Sequence, residues 1–376
     1  MPADIYYSML FTEQGMGNLV SITDAGSTAV KFSALIDFGS IIGEPSLKET
    51  VVFLVKYILA NRTAKKPGPD LDLVVVSHQD KDHWNLIPYL IKAFPAAAPL
   101  TVGTFAFGGL KGSYSKEGAA VLDSLAAIAT TSKKIPAKQC SAYAPRKALG
   151  DLASYSDADT EISFRPVICN VASPCTDESM VANTPSLVVA VVRRMGFERE
   201  CEIFLPGDMT SHTIAAMYDY EDRMKELCGV TSLSIPHHGA HRTLADNYSQ
   251  PRDKRKFLWA NWFAVYLEPK SLGASAGKSS TFNHPYEHVI NIFEEGGGIL
   301  VLDESHSYVS YDIKANDYSP WTTDGAVFTN FSAVPKGKSA AEFQKIAHRI
   351  VYKITKDELE CSQLDIGAPA MPGSSE

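Results

Sequence analysis

Four side chains able to bind a metal ion fall within six residues: His78, Asp80, Asp82 and His83, in the run Ser-His-Gln-Asp-Lys-Asp-His. They directly follow LDLVVV (71–76), an apolar run behind a Pro-Gly-Pro linker that predicts a buried strand. The same arrangement recurs twice. CEIFLP (201–206) leads into Gly207-Asp208, and SLSIP (232–236) into His237-His238-Gly239. One His or Asp past a strand is more often a turn cap than a ligand. Three such ends in order imply a shared crevice at one sheet edge, where open α/β folds bind ligands. Four ligands within six residues cannot face one way on a strand or helix. A tight loop can splay them into two groups, His78 and Asp80 toward one ion and Asp82 and His83 toward a neighbour, and Asp208, with two carboxylate oxygens, can bridge them. Such a two-metal clamp suits attack of a metal-bound hydroxide on a phosphoryl or carbonyl centre.

The rest of the chain must position these loops. Its 376 residues exceed the ~150 typical of one domain, and 45% hydrophobic content is enough for a large core. A net charge of −8 excludes nucleic-acid binding by bulk positive charge. Short β-rich runs at 19–23 and 32–36 flank an Asp-Ala-Gly-Ser turn, the second leading into Asp37-Phe38-Gly39. Amphipathic helices are expected at 49–60, 116–130 and 338–356, and further strands at 186–194, 201–206, 232–236, 299–302 and 326–331. Residues 101–180 read as an insertion without a large core of its own. The expected division is a main domain over 1–331, a helical extension over 332–365 and a disordered tail over 366–376. Six scattered cysteines without a CxxC suit a reduced chain. With no export signal and no apolar run near the ~20 residues that span a bilayer, a cytoplasmic location is expected.

Taken together, these motifs resemble the metallo-β-lactamase-fold hydrolases, and within them the soluble hydrolase domain of ComEC-type DNA-internalisation proteins. The superfamily's common motif is H-x-H-x-D-H, whereas that branch carries H-x-D-x-D-H, as SHQDKDH does here. QGMGN (14–18), ALIDFG (34–39), NTPSLVV (183–189), LPGDM (205–209), IPHHGA (235–240), FNHPYEHVI (282–290) and TDGAV (323–327) are similar to its further elements, in order. They cover 9–328, with 101–180 unmatched. The resemblance implies an α/β fold, the metallo-β-lactamase αββα sandwich of two mixed β-sheets flanked by helices.

It also implies roles. His78, Asp80 and Asp208 would hold a first ion, with Asn183 a weak fourth ligand in place of the histidine many members supply. Asp82, His83, Asp208 and one of His237 and His238, preferably His238 beside Gly239, would hold the second. Asp37 resembles the residue that orients the ligand loop. His284 would donate a proton to the leaving oxygen, with Asp82 at the catalytic centre, and Lys278 would meet an anionic substrate. An oxygen-rich first position holds zinc less tightly and favours Mn²⁺, with Mg²⁺ tolerated, so two divalent ions, Zn²⁺ or Mn²⁺, are expected. Departures from the branch are Asn18 and Ala240, where the pattern has Asp and Ser. The remaining histidines, 212, 241, 288, 306 and 348, lack matched context.

The expected function is a metal-dependent phosphodiesterase or nuclease acting on nucleic acid or nucleotides. Two alternatives stand beside it: a lactone, ester or thioester hydrolase on the same fold, and a metal-binding regulatory protein with 101–180 or 332–360 as partner surfaces. No basic-aromatic stripe of the kind that stacks single strands stands out, and no membrane partner is expected.

Overall fold

The computed structural model describes residues 2–134, 150–219, 227–275 and 286–296, less short gaps at 11, 13–14, 42–43, 66, 174 and 271, together with strand segments at 308–312, 317–321, 327–329, 349–354 and 359–363. The first sheet opens as an antiparallel meander, β1 (Asp4–Leu10), β2 (Gly17–Thr23) and β3 (Val30–Phe38). It then turns parallel through β4 (Leu71–Val76), β5 (Val102–Phe107) and β6 (Ala129–Lys134). Parallel neighbours need crossovers. Helices α1 (Glu44–Lys65), α2 (Ile87–Ala93) and α3 (Lys116–Ile128) lie in those connections.

The second sheet is also mixed. β7 (Ala153–Ser156), β8 (Glu161–Ile168), β9 (Val188–Met195) and β10 (Glu198–Leu205) pair antiparallel. β11 (Ser232–Ser234), β12 (Leu272–Ala274) and β15 (Val327–Thr329) continue it in parallel. Between β12 and β15 in sequence, β13 (Tyr308–Asp312) and β14 (Asp317–Trp321) form a separate antiparallel pair.

Alternation along the strands builds the layers. Ala34, Ile36, Leu73 and Val75 of the first sheet meet Phe164, Val189, Val191 and Ile203 of the second in one buried core. Their neighbours Leu35, Val74 and Val76 face the other way, onto α1, α2 and α3. Val188, Ala190 and Val192 likewise pack against α5 (Ser211–Tyr218), α6 (Leu258–Leu267) and α7 (Glu287–Gly296). A short helix, α4 (Glu178–Asn183), precedes β9. Strands buried on both faces explain why LDLVVV and VVAVV read as unbroken apolar runs rather than alternating ones. The result is the αββα sandwich expected of the metallo-β-lactamase fold.

Two expectations differ from the structure. The stretch 101–180 supplies β5 and β6 to the first sheet and β7 and β8 to the second, so its described part is woven into both layers. Its polar turns hid strands whose partners are distant in sequence. The helix expected over 338–356 is replaced at its C-terminal end by β16 (Arg349–Ile354), which pairs antiparallel with β1, followed by β17 (Leu359–Gln363). Ile350 and Val351 fit helical spacing, but RIVYKI is also rich in β-formers, and the open edge of β1 decides the competition. The rest of 332–365, the 366–376 tail and the strand expected at 299–302 lie outside the described residues. Among the described residues, no helix is long and apolar enough to cross a membrane.

Candidate metal centre

The ligand loop leaves β4 at Ser77, on the edge where β3 and β10 also end. The Leu187 N–H donates to the Ser77 carbonyl (2.8 Å), tying the two sheets together there. Gly207 makes the approach feasible. Its φ is +55°, and a Cβ would lie 2.7 Å from Ser77 Oγ. Gly39 is as constrained, since a Cβ would meet the Asp82 carbonyl carbon at 2.4 Å. Backbone bonds from Met16 N to Asp82 O (2.9 Å) and Gly39 N to Met16 O (3.0 Å) lock the turn at 15–16, the end of β3 and the ligand loop into one unit.

The loop splays its ligands. Asp80 has an extended backbone (φ −74°, ψ 152°) and leads into a 3₁₀ turn, Lys81–His83, that buries Asp82 and His83. Asp37 anchors this turn from the end of β3. In the left-handed region (φ 60°), it accepts from the Ser77 N–H (2.6 Å), from the Ser77 hydroxyl (2.6 Å) and from His83 Nδ1 (3.0 Å). A bulky non-glycine backbone there is strained, and three hydrogen bonds to one carboxylate hold it. With the His83 proton on Nδ1, Nε2 presents its lone pair to Asp208 Oδ1 at 3.2 Å. His78 uses the opposite tautomer. Its Nε2–H donates to the Ala182 carbonyl at the end of α4 (2.8 Å). Its Nδ1 accepts from the Asp80 N–H (3.3 Å) and lies 4.0 Å from Asp208 Oδ2 and 3.9 Å from Asp80 Oδ2.

His237 and His238 share a turn over Pro236–Gly239, and both have positive φ, 48° and 53°. In a strand, adjacent side chains would diverge to opposite faces. Two successive left-handed residues instead bring both rings to Asp208, 6.1 Å apart and 81° to each other. His238 Nε2 lies 3.5 Å from Asp208 Oδ1 and 3.3 Å from Asp82 Oδ2, while its Nδ1–H donates to the Ser275 carbonyl. His237 Nε2 lies 3.7 Å from Asp208 Oδ2. The carboxylate of Asp208 therefore has two occupied sides. Asp82, His83 and His238 surround Oδ1, and His78 and His237 face Oδ2.

Asp82, His83, Asp208 and His238 can each place one ligand atom within 4.8 Å of all the others, and all four are buried. Two atoms each ~2.1 Å from a tetrahedral ion lie ~3.4 Å apart, close to the 3.2, 3.3 and 3.5 Å separations here. His83 Nε2 and Asp208 Oδ1 are buried and make no hydrogen bond, an expensive state for polar atoms unless a cation sits between them. The residues thus fit a metal ion. Charge balance points the same way. Burial works against the charged form of Asp208, yet His237, His83 and His238 hold its carboxyl well below the usual range. Burial likewise opposes charge on Asp82, which the His238 hydrogen bond keeps low. Against their own burial, His83 is pushed up by Asp208 and Asp37, and His238 by Asp208 and Asp82. His237 is the exception, pushed down by burial, so its ring is neutral near pH 7.

The other expected site residues are placed as follows. Asp80 sits at the rim with its side chain 48% exposed. Asn183 is buried at the end of α4, where its Nδ2 donates to the Ser179 carbonyl (2.7 Å) and its Oδ1 makes no hydrogen bond. It is not among the four clustered residues. Lys278 and His284 lie outside the described residues. Sequence reasoning missed the groups that orient the histidines: Ser77 and the carbonyls of Ala182 and Ser275. A backbone carbonyl has no residue type to read. Ser77, beside His78, offered only its hydroxyl as a signal.

No family model matches the chain, and no curated protein is significantly similar to it. Among solved structures, the chain is similar to the metallo-beta-lactamase fold protein YhfI from Bacillus subtilis, with 13% identity, 80% of this chain and 94% of that one covered, and a TM-score of 0.35. Unliganded yeast PDE1 shows 10% identity, 78% and 95% coverage, and a TM-score of 0.41. The long form of RNase Z from yeast shows 7% identity, 73% and 38% coverage, and a TM-score of 0.37. At these identities and scores, the chemistry of this chain rests on its own side chains.

Proposed function

We propose that this chain is a metal-dependent hydrolase of phosphodiesters, whose residues around Asp208 would hold two divalent ions. The observation that carries the reading is the division of imidazoles around that one carboxylate, His83 and His238 at Oδ1 and His78 and His237 at Oδ2. Asp82, His83, His238 and Asp208 would hold one ion. His78, Asp80, His237 and Asp208 would hold the other, which gives both histidines of the pair a place and leaves Asn183 outside. When bound, such ions supply Lewis-acid activation of water and of the phosphate oxygens. Mn²⁺ or Zn²⁺ suits this mix of oxygen and imidazole donors, with Mg²⁺ tolerated.

The chain's own residues prepare that chemistry. Asp37 fixes the His83 tautomer, the Ala182 carbonyl that of His78 and the Ser275 carbonyl that of His238, so His83 and His238 turn Nε2 toward Asp208 without reorganisation and only His78 Nδ1 must release the Asp80 N–H to bind. Burial of Asp208 and His83 keeps bulk water from competing for the ligand atoms. His284 is the proposed proton donor to the leaving oxygen and Lys278 the proposed contact to the anionic substrate. The test is turnover of bis(p-nitrophenyl) phosphate and of single-stranded DNA and RNA with added Mn²⁺, alongside elemental analysis. Metal-dependent cleavage that disappears in Asp208→Ala, with loss of bound metal, is expected. Turnover of uncharged lactones or esters alone would instead favour the small-molecule alternative.

A further inference from the structure

The turn that carries His237 and His238 runs directly into a cluster of cations. His241 follows three residues after His238, so their Cα atoms can be no more than ~11 Å apart. The Tyr286 N–H donates to the Gly239 carbonyl (3.1 Å), which fastens the Tyr286 ring to the same turn. The His241 and Tyr286 rings lie 5.2 Å apart, and an arginine sits on each. Arg255 Nη1 donates to His241 Nδ1 (3.1 Å), and the Arg252 guanidinium lies over the Tyr286 ring, 4.5 Å from its centroid. Arg242, next in sequence to His241, reaches across to Asp177 at the start of α4. Residues 252–256, Arg-Asp-Lys-Arg-Lys, carry four cations against one acid in a chain whose net charge is −8.

Acids near the cluster compensate Arg242 but not Arg252, Lys254 or Lys256. Asp177 pairs with Arg242, and Asp246 spends its carboxylate on the backbone N–H groups of Leu258 and Trp259. Among the described residues, no carboxylate lies within ion-pair distance of Arg252, Lys254 or Lys256. The cations also press on one another. Partial burial, Arg242 and Arg252 push Arg255 below its usual value. Burial, Arg255 and Arg252 push His241 down to about 4, so it is a neutral acceptor for Arg255 at pH 7. Like charges held together beside an aromatic face, at the lip of a centre proposed to cut phosphodiesters, are the makings of a phosphate-backbone contact.

We infer that Arg252 and Lys254 form a second anion subsite that holds a backbone phosphate near the scissile one, so that the substrate is an oligonucleotide rather than a mononucleotide. This rests on the phosphodiesterase reading above. Arg255 has a supporting part: committed to His241 and to the Gln250 carbonyl (3.1 Å), it holds the loop in place. Nucleic acid is favoured over an anionic membrane because Tyr286, on which Arg252 sits, is tied through its N–H to the turn that carries His237 and His238.

The test is equilibrium binding of a fluorescent 12-nucleotide single strand to the full chain as purified, at several salt concentrations. Arg252→Gln/Lys254→Gln alters exposed side chains that make no ion pair, so the fold is retained, and Lys254→Gln alone is a second probe. The expected result is threefold or greater weakening in each variant, with the slope of log K against log[salt] flattening by about 0.7 per contact removed. Arg194→Gln, at the far end of β9 and paired with Glu161, should match wild type. The subsite is overturned if wild type does not bind the strand, if the variants bind with unchanged affinity and slope, or if only anionic vesicles respond to these changes. Turnover of bis(p-nitrophenyl) phosphate by wild type is measured in parallel. Turnover without strand binding removes the subsite and leaves the hydrolase. Strand binding without turnover removes the hydrolase.

Discussion

Asp37 shows how much of the candidate metal centre depends on one carboxylate that lies outside the clustered residues. It accepts from Ser77 twice and from His83 once, and it does so fully buried. Asp37→Asn keeps the shape but turns one acceptor atom into a donor facing other donors. The His83 ring then loses its fixed tautomer. Metal affinity, read by titrating the stripped protein with Mn²⁺, should fall ~10–100-fold. Thermal stability should fall too, because each buried donor left unpaired costs ~1–3 kcal/mol. An affinity equal to wild type would mean that Asp37 serves the fold alone.

At the scale of elements, the site depends on close backbone approach. Gly39→Ala would drive a methyl group into the Asp82 backbone, and because the contact is main chain on both sides neither partner can rotate away. We expect a loss of ~2 kcal/mol or more in unfolding free energy, together with weaker metal binding, measured by denaturant titration and calorimetry. At the opposite end of the first sheet, α1 is clamped to β4. Arg62 Nε and Nη2 donate to Asp70 Oδ1 and Oδ2, each at 2.7 Å, and Thr101 adds two more donors. Partial burial raises the Asp70 pKa, but Arg62 and Thr101 outweigh it, so the folded value lies below the unfolded ~3.9. Its contribution is therefore complete above pH ~4 and is lost as the pH falls through the folded value. The stability difference between wild type and Asp70→Asn should be flat from pH 7 to 5 and shrink below pH ~4. A difference that grows on acidification would contradict the clamp.

Across the whole molecule, Arg193 joins parts that are far apart in sequence. It is fully buried; its Nε donates to Glu202 (2.5 Å), its Nη1 to the Ala3 carbonyl (2.8 Å) and its Nη2 to the Ile354 carbonyl (3.1 Å). One guanidinium thus links the second sheet to the neighbouring strands β1 and β16 of the first, at the start of one and the end of the other. Arg193→Met should cost ~3–5 kcal/mol, because Glu202 is left charged and buried with only Thr231 beside it. Arg193→Met/Glu202→Met should recover a large part of that loss in the same denaturant titration. A double variant as unstable as the single one would place the cost in the lost carbonyl contacts instead.

The loops that carry the candidate ligands were legible because residue type and position coincide in short runs. His78 to His83, Asp208 and His237-His238 each follow an apolar strand, and strands that run the same way, as β10 and β11 do, end at the same edge. The layering was legible too, since runs buried on both faces lack polar interruptions. Local sequence could not decide matters of pairing between distant segments. RIVYKI supports a helix or a strand equally well until the open edge of β1 selects the strand. The stretch 101–180 looks separate until its strands find partners in both sheets. Which of His237 and His238 meets which side of Asp208 depends on two successive left-handed residues, and the cations of 242–256 gather only once His241 and Tyr286 pack together. Residue types determined what could bind a metal ion. Only tertiary contacts, through non-local hydrogen bonds and edge pairing, decided which atoms face one another.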